Sequence, residues 1–127
     1  MPFFVYVKIP LAAGQVERMP ALHEGLERAL SAQALGELIS WGRSLSDTRA
    51  GRQGAAVSHH RLDIEVVDQA RALPVLQDAL AGLAAPDGTE LHYTQDGQSL
   101  QRVYGGARWA APTPSTATSR HAPGTRR

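Results

Sequence analysis

The sequence predicts an α+β fold in which a strand–helix–strand unit occurs twice. Three observations indicate this fold: short stretches with alternating apolar residues, two longer stretches with apolar residues at helical spacing, and breaks that contain glycine or proline. The first unit comprises a strand at 3–9, a helix near 16–34 and a strand at 37–41, and the second comprises a strand at 62–67, a helix near 73–84 and a strand at 90–93. The predicted element order is therefore β-α-β-β-α-β.

The first and third predicted strands each have one strictly apolar face. Val5, Val7 and Ile9 alternate with Phe4, Tyr6 and Lys8, and Leu62, Ile64 and Val66 alternate with Arg61, Asp63 and Glu65. Successive side chains of a strand point to opposite faces of the sheet, so the apolar set is expected to pack on helices. The other face is expected to remain open and to be available for binding.

The two predicted helices carry apolar residues at i, i+3, i+4 and i+7 spacing. These stripes are Met19, Leu22, Leu26 and Leu30 in the first helix, and Leu73, Leu76, Leu80 and Leu83 in the second. We expect Gly36 to end the first helix, because glycine readily adopts the left-handed conformation that terminates helices. We expect Asp68 to cap the second helix, with Pro74 in its first turn.

A turn and a change in composition mark the end of the predicted domain. Asp96-Gly97 favours a hairpin that leads into a fifth strand near 100–104. The periodic pattern stops at residue 105, and residues 110–127 contain no large apolar side chain. We therefore expect a folded domain at 1–104 and a disordered basic tail at 105–127.

The predicted layout is the ferredoxin-like sandwich, with an antiparallel sheet of four strands, an edge hairpin and two helices on one face. The predicted core consists of Val5, Val7, Ile9, Leu22, Leu26, Leu30, Leu62, Ile64, Val66, Leu76, Leu80, Leu83 and Leu91. This layout hosts many unrelated functions, so it does not identify an activity by itself.

Composition and charge exclude several classes of function. The chain has 127 residues, a size typical of one domain, and it contains no cysteine, so disulfide and thiolate chemistry are excluded. No apolar run reaches the ~18 residues of a membrane span, and we expect a cytoplasmic protein. All 12 acidic residues lie in 1–104, which makes the domain mildly acidic and argues against sequence-specific nucleic-acid binding.

The histidines do not form a recognisable metal site, and we expect neither a metal nor a cofactor. His59 and His60 are adjacent in a strand and face opposite sides of the sheet, so they do not chelate one ion; we expect both to be exposed. His23 and Glu27 match part of the zinc-protease helix motif His-Glu-x-x-His, but Glu27 replaces its second histidine. We expect these two residues to lie on a solvated helix face.

Residues 42–57 are predicted to form a long connection rich in glycine and arginine. Arg43, Arg49 and Arg52 make this loop basic, and loops of this length in compact domains are often functional. Trp41 precedes the loop and is predicted either to join Phe4 and Tyr6 in an aromatic patch or to pack in the core or at the sheet edge. The loop is a candidate for binding a partner protein or a small anion.

Pro2 follows Met1 directly before the first strand. Removal of Met1 would leave a secondary amine at the start of a β-α-β unit, and this arrangement resembles the tautomerase superfamily. The resemblance implies that Pro2 acts as general base or nucleophile on a keto–enol substrate, with Arg61 or Arg102 binding a substrate carboxylate. Retention of Met1 in the mature protein would rule this alternative out.

Segments 62–68, 72–76 and 85–91 resemble small bacterial ferredoxin-like proteins, some of which look like immunity proteins of toxin–antitoxin pairs. The resemblance covers most of 3–104 and implies a compact protein that acts by blocking a partner, without catalytic residues. We therefore predict a small non-catalytic protein-binding domain. Its binding surface would combine the 42–57 loop with the open sheet face, where Asp63 and Glu65 would meet a basic partner. Two alternatives stay open: a tautomerase that uses Pro2, and a homodimeric sensor of a small anion.

Overall fold

The structure of the protein, a computed structural model, describes residues 3–11, 16–45 and 58–115, and only the backbone at 16, 43–45 and 58. The strands are β1 Phe3–Pro10, β2 Gly36–Leu45, β3 Ser58–Val66, β4 Thr89–Gln95, β5 Gln98–Gly105, β6 Arg108–Trp109 and β7 Thr113–Pro114. The helices are α1 Met19–Ala32, preceded by a 3₁₀ turn at Val16–Arg18, and α2 Gln69–Gly82. The predicted α+β class is confirmed.

The strands form one antiparallel sheet with the order β2-β3-β1-β4-β5-β6, and β7 also pairs with β5. β1 therefore lies between β3 and β4, so the two strand–helix–strand units are interleaved. β2 forms one edge of the sheet. At the opposite edge of the sheet, the two short strands β6 and β7 both pair with β5.

Both helices pack on one face of the sheet and share a single apolar core with it. All of the predicted core residues are buried except Leu83, which is only partly buried. Leu83 packs against Gly25 of α1, where an added Cβ would lie 2.7 Å from two carbons of the Leu83 side chain. Gly25 therefore allows this close approach to the helix.

The start of α2 confirms the predicted cap but not the predicted position of the proline. The side chain of Asp68 accepts a hydrogen bond from the backbone N–H of Arg71 at 3.1 Å, as an N-cap residue does. The helix begins at Gln69, directly after this cap, so Pro74 lies inside the helix and not in its first turn. Proline cannot donate the intrahelical hydrogen bond at this position.

The end of α1 differs from the prediction because an alanine, and not Gly36, adopts the left-handed conformation. Ala34 has a φ of 53°, and the backbone N–H of Leu35 donates to the carbonyl of Leu30 at 3.0 Å. Gly36 is instead the first residue of β2. A Cβ at Gly36 would lie 2.2 Å from the carbonyl oxygen of Glu65, so glycine is required there by the close approach of β3.

Strand β2 is longer than predicted and takes up the beginning of the predicted 42–57 loop. β2 extends to Leu45, which pairs with Ser58 of β3. Residues 46–57 lie outside the described residues.

Residues 105–115, which were predicted to belong to the tail, extend the sheet. β6 returns along β5, and the rings of Tyr104 and Trp109 lie with their centroids 5.1 Å apart. The indole N–H of Trp109 donates to the carbonyl oxygen of Gln77 in α2 at 3.2 Å. β7 then pairs with Leu100 and Gln101 of β5. The remaining tail, 116–127, lies outside the described residues.

Candidate functional site

The open face, defined as the sheet face opposite the helices, brings together five of the residues predicted to bind a partner. They are Phe4 and Tyr6 of β1 and Arg61, Asp63 and Glu65 of β3. In the register between these strands, Phe4 lies opposite Glu65 and Tyr6 lies opposite Asp63. The open face therefore carries two neighbouring aromatic–carboxylate pairs, one on each of two adjacent rows.

The Tyr6 row, which consists of Ser40, Asp63, Tyr6 and His92 on four adjacent strands, also holds a cation. The guanidinium carbon of Arg61 lies 3.8 Å from the centroid of the Tyr6 ring, and its Nε donates to Asp63 Oδ1 at 2.8 Å. Ser40 Oγ donates to Asp63 Oδ2, also at 2.8 Å. Both carboxylate oxygens of Asp63 are therefore hydrogen-bonded, and its charge is compensated by Arg61.

His92 completes the Tyr6 row from the other side of β1. Its ring stacks on Tyr6 with a centroid distance of 4.4 Å and an interplanar angle of 7°. Its Nδ1 lies 2.8 Å from Ser115 Oγ, and its Nε2 lies 2.8 Å from Glu90 Oε1. Although His92 belongs to the open face, it is only 2% exposed. The sequence did not indicate this network, because Ser115 belongs to the segment predicted to be a tail.

The protonation of Glu90 determines how the hydrogen bonds of His92 run. Burial alone would raise the pKa of Glu90, but the hydrogen bond from His92 and the charges of His92, Lys8 and His59 hold the pKa below its ordinary value of 4.5. Glu90 is therefore a carboxylate near neutral pH and accepts the Nε2–H of His92. In the neutral imidazole this leaves Nδ1 to accept the hydroxyl hydrogen of Ser115. The network fixes the segment after β7 to the sheet.

The Phe4 row, which consists of Glu37, Glu65 and Phe4 on β2, β3 and β1, is organised differently. Glu37 lies directly opposite Glu65, and Glu65 lies directly opposite Phe4. Within the described part of the chain, neither carboxylate has a cation at ion-pair distance. The Phe4 side chain is 62% exposed. Like charges that face each other across a strand pair destabilise the sheet, so the Phe4 row is not explained by folding stability.

Trp41 does not belong to the open face, so the predicted aromatic patch of Trp41, Phe4 and Tyr6 is wrong. The register between β2 and β3 shifts between Leu38 and Ser40, which places Ser40 opposite Asp63 and Trp41 opposite Leu62. This bulge turns Trp41 to the helix-covered face. Its side chain is nevertheless 62% exposed, because β2 is the edge strand.

Trp41 packs with two histidines where α1 approaches the edge of the sheet. Its ring centroid lies 4.9 Å from that of His23 and 5.6 Å from that of His60. The Nε2 atoms of His23 and His60 are 2.5 Å apart. Burial lowers the pKa of His23 below 6.5, and the charge of Glu27 partly opposes this effect. The prediction that His23 lies on a solvated helix face is therefore wrong, because its ring contacts Trp41 and His60. His59 and His60 are buried and not exposed, because β3 begins earlier than predicted.

Among the residues that the structure describes, the two arginines of the tautomerase alternative, Arg61 and Arg102, are not brought together. Arg102 lies opposite Leu91 on the helix-covered face and donates from Nε to the carbonyl of Ala110 at 2.8 Å, whereas Arg61 lies on the open face. Arg43 belongs to β2, where its backbone pairs with His60, and its side chain is not described. Pro2, Arg49 and Arg52 lie outside the described residues.

A cavity of about 390 Å³ lies at the end of the sheet where β1 begins and α2 starts. Its lining includes the apolar residues Phe3, Val67 and Leu73 and the acidic residues Asp68 and Asp96. No lysine or arginine belongs to this described lining. Among these described lining residues, a substrate carboxylate would therefore meet like charge and no lysine or arginine.

No protein-family model, curated protein or solved structure matches the chain. Among the residues that the structure describes, no three histidine, aspartate or glutamate side chains converge to hold a metal ion. Neither α1 nor α2 is long and apolar enough to cross a membrane. The geometry of the open face is therefore the basis for assigning a function.

Proposed function

We propose that this protein is a small non-catalytic domain that binds a partner protein through the open face of its sheet. The observation that carries the proposal is the Phe4 row, in which an exposed aromatic ring lies opposite one carboxylate, a second carboxylate lies opposite the first, and neither has a cation in the described structure. An exposed aromatic side chain beside uncompensated charge is typical of a surface that is completed by another molecule.

The contrast between the two rows indicates which part of the open face contacts the partner. In the Tyr6 row, the charged and aromatic groups already contact one another. The middle of the face therefore presents few groups that a partner could bind. Around the Phe4 row, by contrast, the bulged residue Ile39 is 46% exposed. We therefore assign the partner contact to the Phe4 row and its apolar surroundings. The net charge of this surface favours a basic partner.

The 42–57 loop is a secondary element of the proposal. Its described beginning, residues 42–45, belongs to β2, and Leu45 lies eight positions after Glu37 in that strand, which corresponds to ~26 Å. A partner that contacts both this end of β2 and the Phe4 row has to span this distance. The arginines of the loop would there require acidic groups on the partner.

The strand order supports a ferredoxin-like layout of the first four strands, extended by β5, β6 and β7. β4-β1-β3-β2 is the order that two interleaved strand–helix–strand units generate, and both helices cover one face. A rigid sheet with one uncovered face suits a protein that blocks a partner, as an immunity-like protein does.

Affinity capture from the native host tests the proposal with a matched pair of variants. Tagged wild-type protein is expected to retain one basic partner in stoichiometric amount and to release it at high salt. The double variant Glu37→Gln/Glu65→Gln should weaken binding by about tenfold or more, because it removes two charges with little change in shape. The variant Glu17→Gln/Glu24→Gln removes the same charge from the exposed surface before and on α1 and should bind normally.

Asp63 is not the residue to change in this experiment, although the sequence suggests it. Its charge is already compensated by Arg61, so its removal would release that arginine and alter the surface in two ways. Unchanged partner binding by the Glu37/Glu65 variant would refute the assignment of the Phe4 row. Capture of an acidic partner would refute the charge argument.

The tautomerase alternative is favoured by one observation, which is the cavity beside Phe3, the residue that follows Pro2. The acidic lining of the cavity and the separation of Arg61 from Arg102 weigh against it. Intact-mass measurement provides a direct test, because a retained Met1 blocks the amine of Pro2. Loss of Met1 together with keto–enol isomerisation that a Pro2→Ala variant lacks would establish the enzyme.

A further inference from the structure

We infer that the Phe4 row is a binding site for an arginine side chain of the partner protein, an assignment that rests on the proposed function. The inference comes from a comparison within the molecule. The Tyr6 row already holds an arginine, and the Phe4 row repeats its arrangement of side chains without one.

The Tyr6 row shows how this surface binds a guanidinium group. Arg61 lies over the ring of Tyr6 at 3.8 Å and donates from Nε to Asp63, the carboxylate directly opposite that ring. The arginine therefore receives a cation–π contact from β1 and a charge-assisted hydrogen bond from β3.

The Phe4 row has the same pair two positions along both strands and on the same face. Phe4 takes the place of Tyr6, and Glu65 takes the place of Asp63. Glu37 approaches Glu65 from β2, as Ser40 approaches Asp63 in the Tyr6 row. The Phe4 row thus has a second carboxylate where the Tyr6 row has a neutral hydroxyl, so it attracts a cation more strongly than the Tyr6 row does. In the described structure, no cation occupies the Phe4 row.

Guanidinium chemistry fits the Phe4 row better than an ammonium group does. Side chains directly opposite in a strand pair have Cβ atoms about 4.5–5.5 Å apart, so the carboxylates of Glu37 and Glu65 are close enough to share one planar, multi-donor cation. The same group can lie over the exposed ring of Phe4, as the guanidinium of Arg61 lies over the ring of Tyr6. Lysine offers a point charge without this planar fit.

The test uses NMR on the isotope-labelled full chain with N-acetyl-arginine N-methylamide as the probe. At low ionic strength we expect saturable shifts at the amides of Phe4, Glu37 and Glu65, with a dissociation constant on the order of 10 mM. We also expect a nuclear Overhauser effect between the Phe4 ring and the probe's methylene protons next to the guanidinium. The citrulline analogue has the same shape without the charge and should produce neither signal.

Two variants assign the contacts, and a third serves as the matched control. Glu65→Gln and Phe4→Leu should each weaken probe binding by about fivefold or more, the first by removing charge and the second by removing the aromatic ring. Glu24→Gln removes one charge from the exposed surface of α1 and should leave binding unchanged. The spectrum of each variant should match that of the wild type away from the substituted position, which verifies that the fold is retained.

The arginine assignment fails if the probe causes no saturable shift at the Phe4 row, or if the citrulline analogue binds equally well. Because the experiment contains no partner, its result is independent of affinity capture. Capture that depends on Glu37 and Glu65 while the probe does not bind would overturn only the arginine assignment. Probe binding without any captured partner would overturn the proposed function and, with it, the assignment of the arginine to a partner protein, while the guanidinium site itself would stand.

Discussion

Ile64 and Glu65 are neighbours in β3, yet their side chains lie on opposite faces of the sheet, one packed against the helices and one open. On the helix-covered face, Ile64 is fully buried in a core that consists almost entirely of aliphatic side chains. On the open face, Glu65 is half-buried between the exposed residues Glu37 and Phe4, and no cation of the described structure lies at ion-pair distance from it. Alternate residues of the same strand thus provide stability on one side and a binding surface on the other.

The largest expected effect comes from placing a charge on the helix-covered face. Ile64→Asp buries a carboxylate without a partner and should cost about 4 kcal/mol or more, which is comparable with the whole stability of a small domain. Circular dichroism and thermal melting should show an unfolded or severely destabilised protein. Glu65→Lys, one residue away, should remain folded; a folded Ile64→Asp variant with an unchanged melting temperature would contradict the comparison.

The next largest effect is expected at His92, the one fully buried residue that the open face contributes in the described structure. His92→Ala removes the stack on Tyr6 and the hydrogen bonds to Glu90 and Ser115, and should cost about 2–3 kcal/mol. Urea denaturation measures this loss. Thr94→Ala, an exposed position on the same strand and face, should cost less than about 0.5 kcal/mol; equal losses would mean that the network does not stabilise the fold.

A pH-dependent effect is expected where α1 meets the sheet edge. The pKa of His23 is lower in the folded protein than its ordinary value of 6.5, so the unfolded chain binds more protons below pH 6.5. The contribution of His23 to stability is therefore complete above pH 6.5 and is lost as the pH falls from 6.5 through the lower, folded pKa. His60 and Trp41 contact His23, and Glu27 moderates the loss.

Chemical denaturation of the wild type and of His23→Gln across pH 5 to 8 isolates this effect. Glutamine retains a hydrogen-bonding group for His60 but does not titrate, so the difference in unfolding free energy between the two proteins should change below pH 6.5 and stay constant above it. Trp41 fluorescence in a Trp109→Phe background reports locally on the same contact. A pH-independent difference would show that His23 has an unshifted pKa.

The smallest effect is expected at the Phe4 row and has the opposite sign. Glu37→Gln relieves the repulsion from Glu65 and should stabilise the fold by about 0.2–0.5 kcal/mol at low salt, with a smaller gain at high salt. Thermal melting at two salt concentrations measures this gain, and Glu24→Gln, which disrupts only an exposed pair with Arg28, serves as the control. A destabilised Glu37→Gln variant would show that Glu37 has a structural role.

Strand alternation explains why much of the architecture was predictable. Because β1 and β3 alternate without interruption, Phe4, Tyr6, Arg61, Asp63 and Glu65 were assigned to one face from their spacing alone. The Asp68 cap and the Asp96-Gly97 turn were equally local signals. The register that sets Phe4 against Glu65 could not be predicted, because it depends on how two distant segments align.

The bulge in β2 shows where local pattern is insufficient. With uninterrupted alternation, Glu37 and Trp41 would share a face, whereas the extra residue at Ile39 sends Trp41 to the other side. Glu37 was missed for a related reason, since only pairing with β3 brings it to Glu65. The burial of His92 required Ser115, which no periodic pattern connects to the sheet.

The sequence by itself determined the α+β class, the apolar face of each central strand and the helix-facing core, because these depend on periodicities of two and 3.6 residues along one segment. Only the tertiary structure decided which side chains meet across strands. Ser40 and Arg61 compensate Asp63, while Glu37 repels Glu65 beside Phe4. The physical reason is that hydrogen bonds, stacking and charge repulsion act between neighbours in space, and the strand register, together with one bulge, selects those neighbours.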